Sequence, residues 1–333
     1  MKVLLINSDD GPDYLADCVN YFFITNNYDI YTNHIIDFLF EDYVNPRTLY
    51  GKGFTLYGKL NKNFKNKINE ISITEILDTA SSFDVIVITS INRKYKSEAI
   101  KKDLFQKLNE RISNSNLIVL DGDDSTNVDV DVASSSLYFK RELTERYKSL
   151  AMPISFTFPY LELNKNLIDV NNKTQILAPM DPRFQNSYIY NDETTYFNQY
   201  IQSIFGVTTK KAGWDCLRHY EILSCNTLLF FPDINDKPPL TMAEFPVNLQ
   251  KKVNDLFIKL ILSESNFDTL EKIRLKYPSK NYFTRGIKKI KRKLSKLNLI
   301  ENNFIELNKY SKEFNEWFAN HGTTQSYKKV LRI

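Results

Sequence analysis

The chain is poor in cysteine. Cys18, Cys216 and Cys225 are its only three, and no two of them form a Cys-x-x-Cys pair. No disulfide framework is spelled out, and a reducing interior follows. Long apolar runs are also missing. No stretch approaches the roughly 18–20 residues needed to cross a bilayer. The opening "MKVLLINSDDG" turns polar after six residues, too early for a signal peptide. Internal repeats and low-complexity segments are absent too. These absences exclude a secreted cysteine scaffold, a helical membrane protein and a repeat array. The expectation is a soluble, cytoplasmic protein.

What is present is core-forming material. With 333 residues, 42% of them hydrophobic, the chain is long enough for two domains of ordinary size. The net charge of +4 is mild, but it is unevenly spread. "RGIKKIKRKLSK", Arg285–Lys296, holds seven Lys or Arg and no acid. Ile287, Ile290, Leu294 and, just past its end, Leu297 recur at helical spacing. The surrounding Lys272–Lys296 segment therefore suits contact with an anionic surface, either lipid or a polyphosphate backbone.

Periodicity alternates along the chain. "KVLLIN" reads as a buried strand and Tyr14–Thr25 as a helix. A second strand falls near Tyr28 and a stronger one at Phe83–Ile91. Lys94–Ile112 reads as a helix, Leu117–Leu120 as a strand, and the stretch around Phe156 as the last strand of this half. Leu163–Thr174 is polar and reads as a linker. Beyond it come "QILAP", a helix over Asn191–Ile204 starting at an "ND" cap, a strand and turn in "GVTTKKAG", a helix in "WDCLRHYEILSC" and a strand at Thr227–Phe231. The expectation is a Rossmann-like domain over 1–165 and a second over 166–333, with a helical, basic end. Ligands of such sheets sit at the carboxyl ends of the strands, in the cleft.

"KKAGWDCLRHYEILSCNTLLFFPD" concentrates the reactive side chains. Gly213 and Trp214 stand at the helix start, where backbone N–H groups favour an anion. Lys211, Arg218 and His219 add positive or donor groups. Arg218 and Glu221 are helix neighbours three apart, which also fits a plain salt bridge. Asn226 stands where the helix must stop, in the left-handed conformation.

"LRHYEILSCNTLLFF" resembles the nucleotide-sugar-binding segment of GT-B glycosyltransferases. Over Asp192–Pro246 the chain also resembles a subgroup of glycosyltransferases related to the exostosin type. The resemblance implies two Rossmann-like domains facing a central cleft and transfer of a sugar from a nucleotide-sugar donor to a hydroxyl. It implies no cofactor and no metal. Glu221 matches the family's ribose-binding Glu and Arg218 a basic position near the diphosphate. The chain departs from the pattern at Asn226, where the family has Gly. It departs again eight positions before Glu221, where Gly213 replaces the first Glu of retaining enzymes. Thr241, in "TMAEFP", is expected over the nucleotide. The acceptor is expected at the first βα loop, "SDDGPDY", with Asp9, Asp10 or Asp13 as general base. A surface glycan or lipid-linked saccharide is the leading acceptor and a modified nucleic acid the second.

Other readings compete. "DGDD" offers Asp121 and Asp123 as a metal-binding Asp-x-Asp of the GT-A kind. Lys140, Arg141 and Arg183 are further phosphate candidates, the first two also reading as exposed helix charge. A non-catalytic α/β module docking on an anionic surface is the alternative outside enzymology.

Overall fold

A computed structural model describes residues 1–8, 11–43, 54–89, 91, 98–112, 116–163, 167–261 and 299–333. The first half is built on strands β1 (Lys2–Ile6), β2 (Asp29–Thr32), β3 (Ile68–Glu70), β4 (Val85–Ile88), β5 (Leu117–Asp121), β6 (Leu137–Lys140) and β7 (Met152–Pro153). They form one parallel sheet in the order β3-β2-β1-β4-β5-β6-β7. Both faces are buried, which is why the strands read as continuous apolar runs. Val3, Leu5, Val87 and Ile118 point into one core, against Cys18, Val19 and Phe22 of helix α1 (Tyr14–Thr25). Leu4, Ile6, Ile88 and Val119 point into the other. That face is covered by Ile76 of α2 (Ile73–Thr79), Leu104 and Leu108 of α3 (Glu98–Asn109) and Val132 of α4 (Val130–Ala133).

The second half holds a smaller parallel sheet, β8 (Gln175–Leu177), β9 (Ser203–Val207) and β10 (Leu228–Phe230), in the order β10-β9-β8. Its helices are α5 (Glu193–Ile201), α6 (Leu217–Ser224), α7 (Val247–Ile261), α8 (Leu299–Trp317) and α9 (Tyr327–Val330). Asp192 caps α5 by accepting from Thr195 N at 2.8 Å. Asn226 ends α6 with φ 53°, as expected. Ile176, Phe205 and Leu228 belong to the same hydrophobic cluster as Val3 and Phe22, so one core runs through both halves. The chain end returns to the first half: Phe158 bridges to Thr323, and the Tyr327 hydroxyl donates to Ser155 O at 2.8 Å. Two parallel α/β units sharing one core are thus the observed architecture.

Four local readings change. The stretch around Phe156 is irregular, and the last strands of the sheet are β6 and β7 instead. "LYFKREL" is therefore a buried strand end and not an exposed helix. The helix expected to reach Ile204 stops at Ile201, because Ser203 already pairs with Gln175 at the start of β9. The polar linker is anchored. Lys173 is buried, and its ammonium donates to the carbonyls of Ile201 at 2.9 Å and Cys225 at 3.0 Å, at the ends of α5 and α6. The division at 165 and the basic segment Lys272–Lys296 lie outside the described residues. Among the described residues no helix is long and apolar enough to cross a membrane.

The seat of α6 on this sheet depends on Gly206 of β9. A Cβ there would lie 2.9 Å from Ile222 Cγ2. Gly206→Ala is expected to cost about 1–3 kcal/mol through overpacking, read as a lower urea midpoint. The double variant with Ile222→Val should recover part of the loss. An unchanged midpoint would show that α6 is not held this closely.

Candidate active site

The loops after β5 and β6 meet the turn between β9 and α6. Arg141, directly after β6, is buried, and its guanidinium donates to Asp215 O, to Glu142 Oε1 at 2.8 Å and to Gly122 O at 3.0 Å. It also pairs with Asp124. Glu142 accepts from the backbone N–H groups of Trp214 at 3.1 Å and Asp215 at 3.0 Å. Gly213 is what lets this turn approach. A Cβ would fall 2.5 Å from Glu142 Oε1 and 2.7 Å from Arg141 Nη1. The Asp215 carboxylate accepts from Phe156 N at 2.6 Å and from the Tyr220 hydroxyl at 3.0 Å. Burial pushes its pKa from 3.8 up to about 7, while Arg141 pulls it down.

His219 braces the same turn. Its ring nitrogens lie 2.8 Å from the Thr208 hydroxyl and 2.8 Å from Trp214 O. A carbonyl only accepts, so Nε2 carries the proton and Nδ1 accepts from Thr208. His219 is fully buried with both nitrogens engaged, so the structure corrects the expectation that it contacts the donor. Trp214 is likewise largely buried, packed 6.5 Å from Phe231. Both side chains shape the turn and do not face an open site.

Arg218 is different. Its Nη2 donates to the Tyr188 hydroxyl at 3.1 Å, and the guanidinium lies 5.5 Å from that ring's centroid. The Lys211 ammonium lies 5.6 Å from the same ring. Among the described residues no carboxylate lies within ion-pair distance of Arg218, and its Nε is buried with no hydrogen-bond partner. The plain Arg218–Glu221 salt bridge, the competing reading of this pair, does not form among the described residues. Cys216 stands at the N-cap of α6 with no side-chain hydrogen bond to the first turn. Two cations and an uncapped helix start thus share one corner.

Glu221 points elsewhere on α6. Its Oε1 accepts from the Thr55 hydroxyl at 2.5 Å, and its Oε2 accepts from the Tyr196 hydroxyl. Phe54 stacks on Tyr196 with centroids 5.2 Å apart. Burial raises the Glu221 pKa, against the pull of those two hydroxyls. Thr55 holds φ 74°, an uncommon backbone for a β-branched residue. Glu221 therefore carries two hydroxyl donors, one of them from the first half of the chain.

The other expected residues have defined places. Asp13 caps α1, accepting from Leu15 N at 3.0 Å and Ala16 N at 3.2 Å. Asp9 and Asp10 lie outside the described residues. Thr241 is buried, and its hydroxyl donates to Leu143 O at 2.9 Å, tying its loop to the first half. Asp121 is fully buried, paired with Lys140 at 2.8 Å and accepting from the Tyr138 hydroxyl at 2.6 Å. Asp123 accepts from Ser125 N at 2.6 Å. The Asp-x-Asp is an internal ion pair with a turn, and this corrects its reading as an open metal site. Arg183 pairs with Asp181 at 2.9 Å. Sequence reasoning missed Tyr188, Tyr196, Thr55 and Glu142. Only the Tyr196 position, in "ETTYFNQYI", lay inside the stretch singled out.

No protein-family model matches the chain, and no curated protein matches it. Among solved structures, an alpha-glucosyltransferase in complex with UDP and a 13-mer DNA containing a HMU base is similar over 100% of both chains, at 12% identity and a TM-score of 0.46.

The brace at His219 makes a pH signature. Burial lowers its pKa from 6.5 to about 4, so the folded state excludes a proton that the unfolded chain accepts. Stability should fall as pH drops from 6.5 towards 4. His219→Gln cannot take that proton. It should start less stable and lose less over the same interval in denaturant titrations. Parallel curves for the two proteins would remove His219 from the acid response.

Proposed function

We propose that the chain is a glycosyltransferase that uses a nucleotide-sugar donor. The observation that carries this reading is Arg218. It is a guanidinium without a carboxylate partner, with an unused buried Nε–H, beside Lys211, Tyr188 and an uncapped helix start. A buried donor left unmade is costly, and a diphosphate would satisfy it. Arg218 and Lys211 would neutralise the charge that develops on the leaving diphosphate as the bond from the sugar carbon to the phosphate oxygen breaks. The acceptor hydroxyl oxygen forms the new bond, and its proton passes to a base. Asp13 is occupied as a helix cap, so this reading gives the base to Asp9 or Asp10 in the same loop. Glu221 would take the ribose hydroxyls in exchange for those of Thr55 or Tyr196. Lys211, Arg218 and Glu221 are the proposed donor-binding side chains. Gly213, Trp214, His219 and Thr241 support the turn and loop that carry them.

For the acceptor, a modified nucleic acid now stands ahead of the surface glycan expected from the sequence. The dense basic run Arg285–Lys296 supports a polyphosphate partner. The DNA-bound glucosyltransferase sets only which acceptor to test first.

The test begins with binding. UDP and the other nucleoside diphosphates are screened by thermal shift, and the best one by calorimetry. Arg218→Ala should weaken the best ligand by about tenfold or more, the worth of a charge-assisted contact, and Arg218→Lys should weaken it less. Labelled nucleotide sugars are then offered with HMU-containing DNA, unmodified DNA and a lipid-linked saccharide. Transfer to the HMU-containing DNA alone is the expected result. If millimolar nucleoside diphosphates leave the melting curve unmoved, the donor reading is wrong.

A further inference from the structure

A cavity of about 270 Å³ lies beyond α6 from Arg218. Tyr220, about 200° round the helix from Arg218, forms one wall. Phe139, Phe245, Trp317 and Tyr327 form the others. The space closes where residues 317–332 fold back over the first half, so both halves of the chain line it. None of the proposed donor-binding residues does.

Three features point to a ligand. Lys329 and Arg332 reach solvent from the same lining and have no ion-pair partner among the described residues. Arg332 is held at φ 58°, a left-handed backbone uncommon outside glycine. The lining's one acid, Glu244, faces His321 at 3.7 Å. The charge at the solvent side is therefore positive, and the walls are flat and aromatic. The volume is close to the lower end of ligand pockets, about 300 Å³, which is too small for a nucleotide sugar.

We propose that this cavity is a second ligand site, taking one aromatic ring that bears an anionic group. The ring lies among Tyr220, Trp317 and Tyr327. The anion meets Lys329 and Arg332. The Tyr220 hydroxyl donates to Asp215 at 3.0 Å, so the occupant presses on a wall that is bonded to the turn carrying the donor site. The site is separate from the diphosphate corner and does not depend on it.

Phenyl phosphate and benzoate are the probes, with benzyl alcohol as the neutral control, followed on the full chain by ligand-observed NMR and calorimetry. Both anions should bind, and the better of the two identifies the anionic group. The alcohol should bind at least about tenfold more weakly. The double reversal Lys329→Glu, Arg332→Glu should weaken the anions by about tenfold or more. Arg218→Ala should leave their affinity unchanged. Lys329 and Arg332 are exposed, so the reversed protein is expected to fold, checked by circular dichroism. Three results would overturn the proposal. They are failure of both anions to bind, equal affinity in every variant, and loss in Arg218→Ala with retention in the charge-reversed protein. The last would place the probes in the diphosphate corner.

Discussion

The guanidinium of Arg141 joins the two halves of this protein. A buried charge is tolerated only when it is paired and its hydrogen bonds are filled. Arg141 fills them from both halves: Asp124, Glu142 and Gly122 from its own, and the Asp215 carbonyl from the other. Glu142 repeats the link by accepting from the Trp214 and Asp215 amides. The turn at Gly213–Asp215 is therefore held from the first sheet, although it belongs to the second. Everything α6 presents starts from that turn.

One short helix then serves three neighbours. Ile222 sits on Gly206 of β9, leaving no room for a methyl group between them. Arg218 faces Tyr188 and Lys211, where positive charge is left unneutralised. Tyr220 walls the cavity made by the returning chain end. A shift of α6 along β9 would move all three together, because a packed helix does not deform residue by residue.

Glu221 shows how the halves communicate without an ion pair. A buried carboxylate needs donors, and it finds two hydroxyls, Thr55 from the first half and Tyr196 from the second. The left-handed backbone of Thr55 is part of delivering that hydroxyl. The same two bonds are those a vicinal diol offers.

Much of the architecture was legible along the chain. Continuous apolar runs marked β1, β4 and β5. The cap Asp192 and the left-handed Asn226 marked helix ends, because those signals are local and rest on backbone hydrogen bonds. Arg218 and Lys211 were legible as candidates for the same reason, being next to a glycine turn and a helix start. Asp121, Lys140, Thr241 and His219 were not legible in their roles. Each is polar, and a polar residue in a sequence reads equally as ligand, cap or solvated charge. Burial decided between these. Asp121 lies under Lys140 and Tyr138, and His219 lies between Thr208 and Trp214, with every polar atom spent inside the protein. The sequence by itself determined two parallel α/β units and where the reactive residues cluster. Only the tertiary structure decided which charges are left over, because neutralisation is a matter of distances between residues far apart in the chain.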